Sequence, residues 1–158
     1  MLSVMDIILS LKGTPLFARV PGEGLKRLSD FIQEKTVRTG EIIFAEEDLG
    51  DEMYLVRSGR VRIQQEIGDQ PTAVDTVMPG GHFGEMAIID DQPRSASALA
   101  EENTSLLVLH KNDFRSAVQD YPDIAFEVFR ELTRRLRVAD ERYRKLVEQA
   151  RRLGLETR

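Results

Sequence analysis

The 158-residue chain has no cysteine, no tryptophan and only two histidines. Without cysteine there are no disulfides and no thiolate metal sites, and a reducing cytoplasm is the expected setting. His82 and His110 are too few for a histidine metal cluster. Long apolar runs are also missing. The opening stretch Met1–Lys12 is apolar but short, is broken by Asp6 and lacks a basic leader, so no signal peptide is expected. Nothing approaches the roughly 18 apolar residues that span a bilayer, and no membrane contact is expected. Positive charge is not in excess: the net charge is −5, which argues against nucleic acid as a partner of this chain alone. Ser, His and Asp occur without triad spacing and no nucleotide triphosphate loop occurs, so an enzyme is not expected.

What is present fits one domain over residues 1–158, with 41% apolar residues to build its core. Residues 1–34 read as helical: after Pro21 and Gly22, the residues Leu25, Leu28, Phe31 and Ile32 recur at helical spacing. Residues 35–110 read as short strands between turn signals. Ile42-Ile43-Phe44, Tyr54-Leu55-Val56, Val61–Ile63, Ala96/Ala98/Ala100 and Leu106–Leu109 supply the apolar positions. Ser58-Gly59 and Gly68-Asp69 read as hairpin turns and Pro79-Gly80-Gly81 as a further turn. Residues 111–158 read as helical again, with Asn112 or Asp113 capping a short helix and Pro122 starting a long one. The expected fold is α+β but mainly β: an eight-stranded jelly-roll-like β-barrel with N-terminal helices and a long C-terminal helix.

The segment most informative about chemistry lies within residues 80–96, where Phe83-Gly84-Glu85-Met86-Ala87 is followed by Pro93-Arg94-Ser95-Ala96. A glycine lets backbone N–H groups approach a phosphate closely. An arginine can fork onto two phosphate oxygens. A carboxylate only accepts hydrogen bonds, which suits a sugar hydroxyl. Together these residues imply a receptor for a small anionic sugar phosphate. The competing reading is a structural ion pair between Glu85 and Arg94. Phe83, Met86, Ile88 and Ile89 read as core, and Val74 and Val77 as either core or lining for a base.

This arrangement resembles the cyclic nucleotide-binding domain family, which includes kinase regulatory subunits, nucleotide-gated channels and bacterial catabolite activators. The phosphate-binding cassette of that family has the form F-G-E-x-A, a short run, then P-R-(S/T/A)-A. Gly40-Glu41-Ile42-Ile43, Gly50-Asp51-Glu52-Met53-Tyr54 and Ser58-Gly59-Arg60-Val61 resemble its first barrel turn and its next two strands with their hairpin. Glu47 departs from the pattern by standing where the family often has glycine, so a strained surface turn is expected there. The resemblance implies that Glu85 accepts from the ribose 2′-hydroxyl and Arg94 pairs with the phosphate. Backbone N–H groups near Gly84, Met86, Ala87 and Ser95 would complete the cradle. No cofactor is implied beyond the ligand itself, cyclic AMP in preference to cyclic GMP. The long helix resembles the one that caps the base. There Asp140 is the candidate to accept from the adenine amino group and reject guanine O6, with Arg142 and Tyr143 as rival stacking residues.

Phe129, Leu132, Leu136, Ala139, Tyr143, Leu146, Ala150 and Leu153 alternate three and four apart, a heptad seam that implies a homodimer through the C-terminal helix. On that register Arg135 and Asp140 are placed to pair across chains. From Phe129 to Arg158 there are ten basic and five acidic residues, leaving twelve and twenty-two in the remainder, which reads as a solvated helix face. The expectation is therefore a non-catalytic sensor whose C-terminal helix moves on binding and regulates a partner or fused domain. Two alternatives stand beside it. One is a degenerate, ligand-free dimerisation module. The other is a fragment of a catabolite-activator-type transcription regulator, since a helix-turn-helix domain has no room within these residues.

Overall fold

Reciprocal capping starts the first helix. In α1 (Val4–Lys12) the Ser3 hydroxyl accepts from the Asp6 N–H, and the Asp6 carboxylate accepts from the Ser3 N–H. The structure, a computed structural model, describes residues 1–155. Helix α2 (Gly22–Ser29) follows Pro21 and turns Leu25 and Leu28 inward, as their spacing implies. Eight strands follow: β1 (Gln33–Val37), β2 (Ile42–Phe44), β3 (Glu52–Ser58), β4 (Val61–Ile67), β5 (Gln70–Val77), β6 (His82–Phe83), β7 (Ser97–Ala100) and β8 (Thr104–His110). The four-residue helix α3 (Met86–Ile89) interrupts them, and α4 (Lys111–Asp120) and α5 (Asp123–Arg152) complete the described chain.

The strands form two four-stranded antiparallel sheets, β1-β8-β3-β6 and β2-β7-β4-β5, so the expected barrel is a rolled pair of sheets and not one closed cylinder. Strands β3 and β8 explain why two layers are stable. Their runs Met53-Tyr54-Leu55-Val56 and Leu106-Leu107-Val108-Leu109 are apolar at every position because both faces are covered. Tyr54, Val56, Leu106 and Val108 meet Val61, Val77, Ala98 and Ala100 of the other sheet. The alternate residues Met53, Leu55, Leu107 and Leu109 point the other way. They pack against Leu11, Phe17, Leu25 and Leu28 from the N-terminal segment and Phe114, Ile124 and Val128 from the C-terminal helices. The C-terminal helix is thereby anchored at its start, and the remainder of its length passes the open side of the sheets.

Some local readings need correction. Gly68-Asp69 does close a hairpin, both residues having φ of 59°, with Ile67 facing Gln70 across β4 and β5. Ser58-Gly59 does not: β3 and β4 lie in different sheets, and the turn is a corner where the chain crosses between them. The first strand begins at Gln33, inside the segment expected to be helical. Helix α4 starts at Lys111 with His110 before it, and neither Asn112 nor Asp113 caps it. Met86 and Ile89 are exposed rather than core, because the single turn of α3 buries only Ala87 and Ile88. Residues 156–158 of the expected helical tail lie outside the described residues.

Gly59 makes the corner feasible. Its φ is +88°, and a Cβ there would meet the Thr104 hydroxyl and sit 2.6 Å from the Asn103 carbonyl oxygen. Gly59→Ala is expected to destabilise the fold by about 2 kcal/mol or more, from left-handed strain plus the clash. Urea unfolding checks this; a midpoint unchanged from the parent protein would contradict the corner's tight fit.

Candidate functional site

A cavity of about 830 Å³ lies between the β2-β7-β4-β5 sheet, the α3 segment and the inner face of α5. Arg94 forms its most constrained wall and is only 5% exposed. Its Nη1 donates to the Gly84 carbonyl (3.0 Å) and its Nη2 to the Glu52 carbonyl (2.8 Å). The guanidinium stacks on Phe44, 4.0 Å from the ring centroid. Phe44 in turn packs on Tyr54 and Phe83, each pair 5.9 Å between centroids. Two glycines make this seat. A Cβ on Gly50 would lie 2.5 Å from Nη2, and one on Gly84, where φ is +77°, would lie 2.8 Å from Nη1. Burial draws the guanidinium below the ordinary arginine value, opposed by Tyr54, Glu52, Asp51 and Asp48.

The backbone of Arg94 is tied as firmly as its side chain. Its N–H donates to Asp48 (2.8 Å), and its carbonyl accepts from Glu47 N–H (2.9 Å). Glu47 holds φ at +69°, so the strain expected at this non-glycine position is present. The strained turn is the one that grips the arginine's main chain.

Glu85 follows Gly84 at the N-terminal end of α3 and is 9% exposed. It does not pair with Arg94. Its partner is Arg135 of α5, which binds Glu85 Oε1 through Nη1. Arg135 also donates from Nη2 to His82 Nε2 at 2.6 Å and reaches Glu131 Oε1 at 3.4 Å. Glu131, itself buried, is forked by Arg134 through two 2.8 Å bonds, and that pairing holds its carboxyl below the usual carboxylate range. Within the single chain, Arg135 is thus engaged in an intrachain network with Glu85, His82 and Glu131.

The other expected site residues divide. Gly84, Met86, Ala87 and Ser95 all line the cavity. The first turn of α3 leaves the Met86 and Ala87 amides without helical partners. Ser95 is exposed, and its carbonyl accepts from Gln65 Nε2 at 2.8 Å. Val77, Arg142 and Tyr143 also face the cavity. Val74 and Asp140 do not line it. In β5, Val77 and Asp75 alternate onto one face in register with Val61 and Ile63, while Val74, at the irregularity between Ile63 and Gln64, is exposed. On α5 the cavity face carries Arg135, Val138, Ala139, Arg142 and Leu146; Asp140 is rotated about 100° past Ala139. Sequence reasoning missed Phe44, Gly50, Glu52 and Asp75 as parts of the site, and missed Arg135 as the partner of Glu85. The glycine and acidic pattern at residues 50–52 was visible, but its service to an arginine 42 residues away from Glu52 was not.

A family model described as the cyclic nucleotide-binding domain matches residues 34–121. The chain is 38% identical over 131 residues to the "Cyclic AMP receptor protein" of Thermus thermophilus, covering 82% of this chain and 61% of that protein. It is 30% identical over 117 residues to human "cGMP-dependent protein kinase 2", covering 72% of this chain and 15% of the kinase. The crystal structure of Thermus thermophilus catabolite activator protein superposes with a TM-score of 0.77 at 36% identity, over 84% of this chain and 63% of that one. The chain thus spans less than two thirds of the length of the bacterial receptor it matches.

His82 lies beneath the Glu85–Arg135 pair with its Nδ1 buried and unpartnered among the described residues. Burial, chiefly, pushes its pKa below the ordinary 6.5; Glu85 and Glu131 raise it and Arg135 lowers it further. The folded state thus disfavours the proton. The stability this contributes is fully present above about pH 6.5 and is lost as pH falls through the lowered folded-state value. Melting temperatures between about pH 5 and 8 should fall on acidification more steeply in the parent protein than in His82→Phe. Parallel profiles would contradict the assignment.

Proposed function

The chain belongs to the cyclic nucleotide-binding domain family, and on that premise we propose that it is a non-catalytic receptor for a purine nucleoside cyclic monophosphate, cyclic AMP in preference to cyclic GMP. One observation carries the reading. Two buried side chains of opposite charge, Arg94 and Glu85, meet the same cavity without neutralising each other. A guanidinium has five N–H donors, and Arg94 gives one each from Nη1 and Nη2 to backbone carbonyls. It keeps its full charge for an anion. The exposed Ser95 hydroxyl and the Met86 and Ala87 amides add donors around the same point. Glu85, an acceptor, suits the ribose 2′-hydroxyl.

Signal output runs through α5. Glu85 is bound to Arg135, so a sugar hydroxyl that engages this carboxylate changes the contact holding the helix. Binding then shifts the population of α5 positions by the ligand's differential affinity for them. The cavity-facing part of α5, from Arg134 to Leu146, closes over the base. The seam residues Phe129, Leu136, Tyr143, Leu146 and Leu153 are each more than half exposed in a single chain, which supports a homodimer along α5. No described helix is long and apolar enough to cross a membrane. We assign the receptor to the cytoplasm and give it no nucleic-acid partner through these residues. The likeness to a bacterial cyclic AMP receptor supports, as a second reading, service within a catabolite-activator-type regulator.

Arg94→Ala should weaken cyclic AMP binding at least about a hundredfold, near 2.7 kcal/mol, in calorimetric titration. A change below about fivefold would remove Arg94 from the phosphate site. For the dimer, light scattering should give about twice the 17.9 kDa chain mass, and the double substitution Leu136→Glu with Leu153→Glu should return it to one. A parent protein of single-chain mass at high concentration would end the dimer proposal.

A further inference from the structure

Helix α5 is 30 residues long, yet among the described residues only one of its side chains bonds to another element. That side chain is Arg135, and its two partners off the helix, Glu85 and His82, are both buried. The other polar contacts of α5, Arg130–Glu127, Arg134–Glu131, Arg135–Glu131 and Lys145–Glu141, stay within the helix. His82 pairs with Leu55 across β6 and β3, and its side chain is 1% exposed. Arginine has donors only, so the Nε2 that Arg135 Nη2 meets at 2.6 Å carries a lone pair. The ring proton therefore sits on Nδ1, which is buried without a partner among the described residues. A second proton can enter only at Nε2. There it sets an N–H against the N–H of Arg135 and brings two cations together. Glu85 Oε1 lies 3.9 Å from the same nitrogen, within reach of a protonated ring. The charged groups facing the ring are Glu85, from the residue before α3, and Arg135 and Glu131 from α5; the β3 neighbour Leu55 is apolar.

We propose that His82 is a proton-gated latch for α5. Neutral His82 accepts from Arg135 and keeps the helix docked. Protonated His82 repels Arg135 and takes Glu85 as its own partner, so one proton removes both contacts that Arg135 makes off the helix. Arg135 keeps Glu131, which moves with it on α5. The helix pivots beyond Val128, the last of its apolar residues buried in the core. The docked helix disfavours the second proton, and release leaves an ordinary histidine. Docking is therefore at full strength above about pH 6.5 and is lost as pH falls below it. Every contact in this exchange lies within the chain, so the latch is independent of the receptor reading.

The test is a pulsed electron resonance distance between nitroxides at Thr36→Cys on β1 and Arg144→Cys on α5, both exposed and clear of the latch. Labelled chains are diluted in excess unlabelled protein, so that only distances within one chain are read. The labelled parent should show one population at about pH 8, and a displaced one should grow on acidification. The displaced-to-docked ratio should rise by up to about tenfold per pH unit below about pH 6.5. His82→Gln sets an amide oxygen, which takes no proton in this range, near the position of Nε2 and should hold the docked distance throughout. Arg135→Met should show the displaced population already at about pH 8. His110, the other histidine, sits on Glu52 and is present in every variant. Nitrogen NMR of the parent protein should find neutral His82 protonated at Nδ1, a result that needs no variant to fold. A parent distance that ignores pH, the same acid response in His82→Gln, a docked Arg135→Met, or a neutral His82 protonated at Nε2 each overturns the latch. None of these outcomes bears on nucleotide binding.

Discussion

A guanidinium buried as deeply as that of Arg94 needs hydrogen-bond partners, because an unpaired buried charge costs several kcal/mol. Here the partners are two backbone carbonyls and an aromatic face, and none of them is a carboxylate. That choice decides the character of the cavity. A carboxylate partner would have cancelled the charge; dipoles and a π-face hold it in place and leave it whole. The requirement spreads outward. Gly50 and Gly84 must lack side chains, β2 must deliver Phe44, β3 must present its Glu52 carbonyl, and Glu47 must accept a strained φ so that its turn can hold the arginine's main chain.

The second charged group is treated in the opposite way. Glu85 is satisfied by a partner on another element, the Arg135 side chain of α5. Arg135 divides its donors among Glu85, His82 and Glu131, so the same side chain closes the cavity and fastens the helix. One wall is therefore built of contacts that a ligand leaves alone, and the other of contacts that it must compete with. On the receptor reading proposed above, the Arg94 half would supply affinity and the Glu85–Arg135 half the change in α5.

Strand positions were legible wherever burial on one or both faces forces an unmistakable pattern, as in Tyr54-Leu55-Val56 and Leu106–Leu109. The cassette at residues 83–96 was legible because its residues are adjacent in sequence and carry functions that backbone and side-chain chemistry dictate. Partnerships across the sheets were not. Ser58-Gly59 has the composition of a hairpin and acts as a corner, since composition records the φ a turn needs and not which strands it joins. Val74 and Val77 lie three apart on one strand, so alternation sets them on opposite faces and only Val77 lines the cavity. Asp140 is suggested by likeness to a base-capping helix, and helical rotation past Ala139 takes it off the face of α5 that lines the cavity.

The amino-acid sequence by itself determined the order of elements, the apolar positions that must be buried, and the glycine, carboxylate and arginine that give the cavity its chemistry. These depend on local periodicity and on the properties of individual side chains, and both survive without knowledge of neighbours. Only the tertiary structure decided that Arg94 rests on Phe44 and two carbonyls, that Glu85 answers to Arg135 fifty residues away, and that Asp75, not Asp140, lines the cavity. Those outcomes depend on how two sheets and a helix are positioned in space, and contacts between residues far apart in sequence leave no mark in either stretch alone.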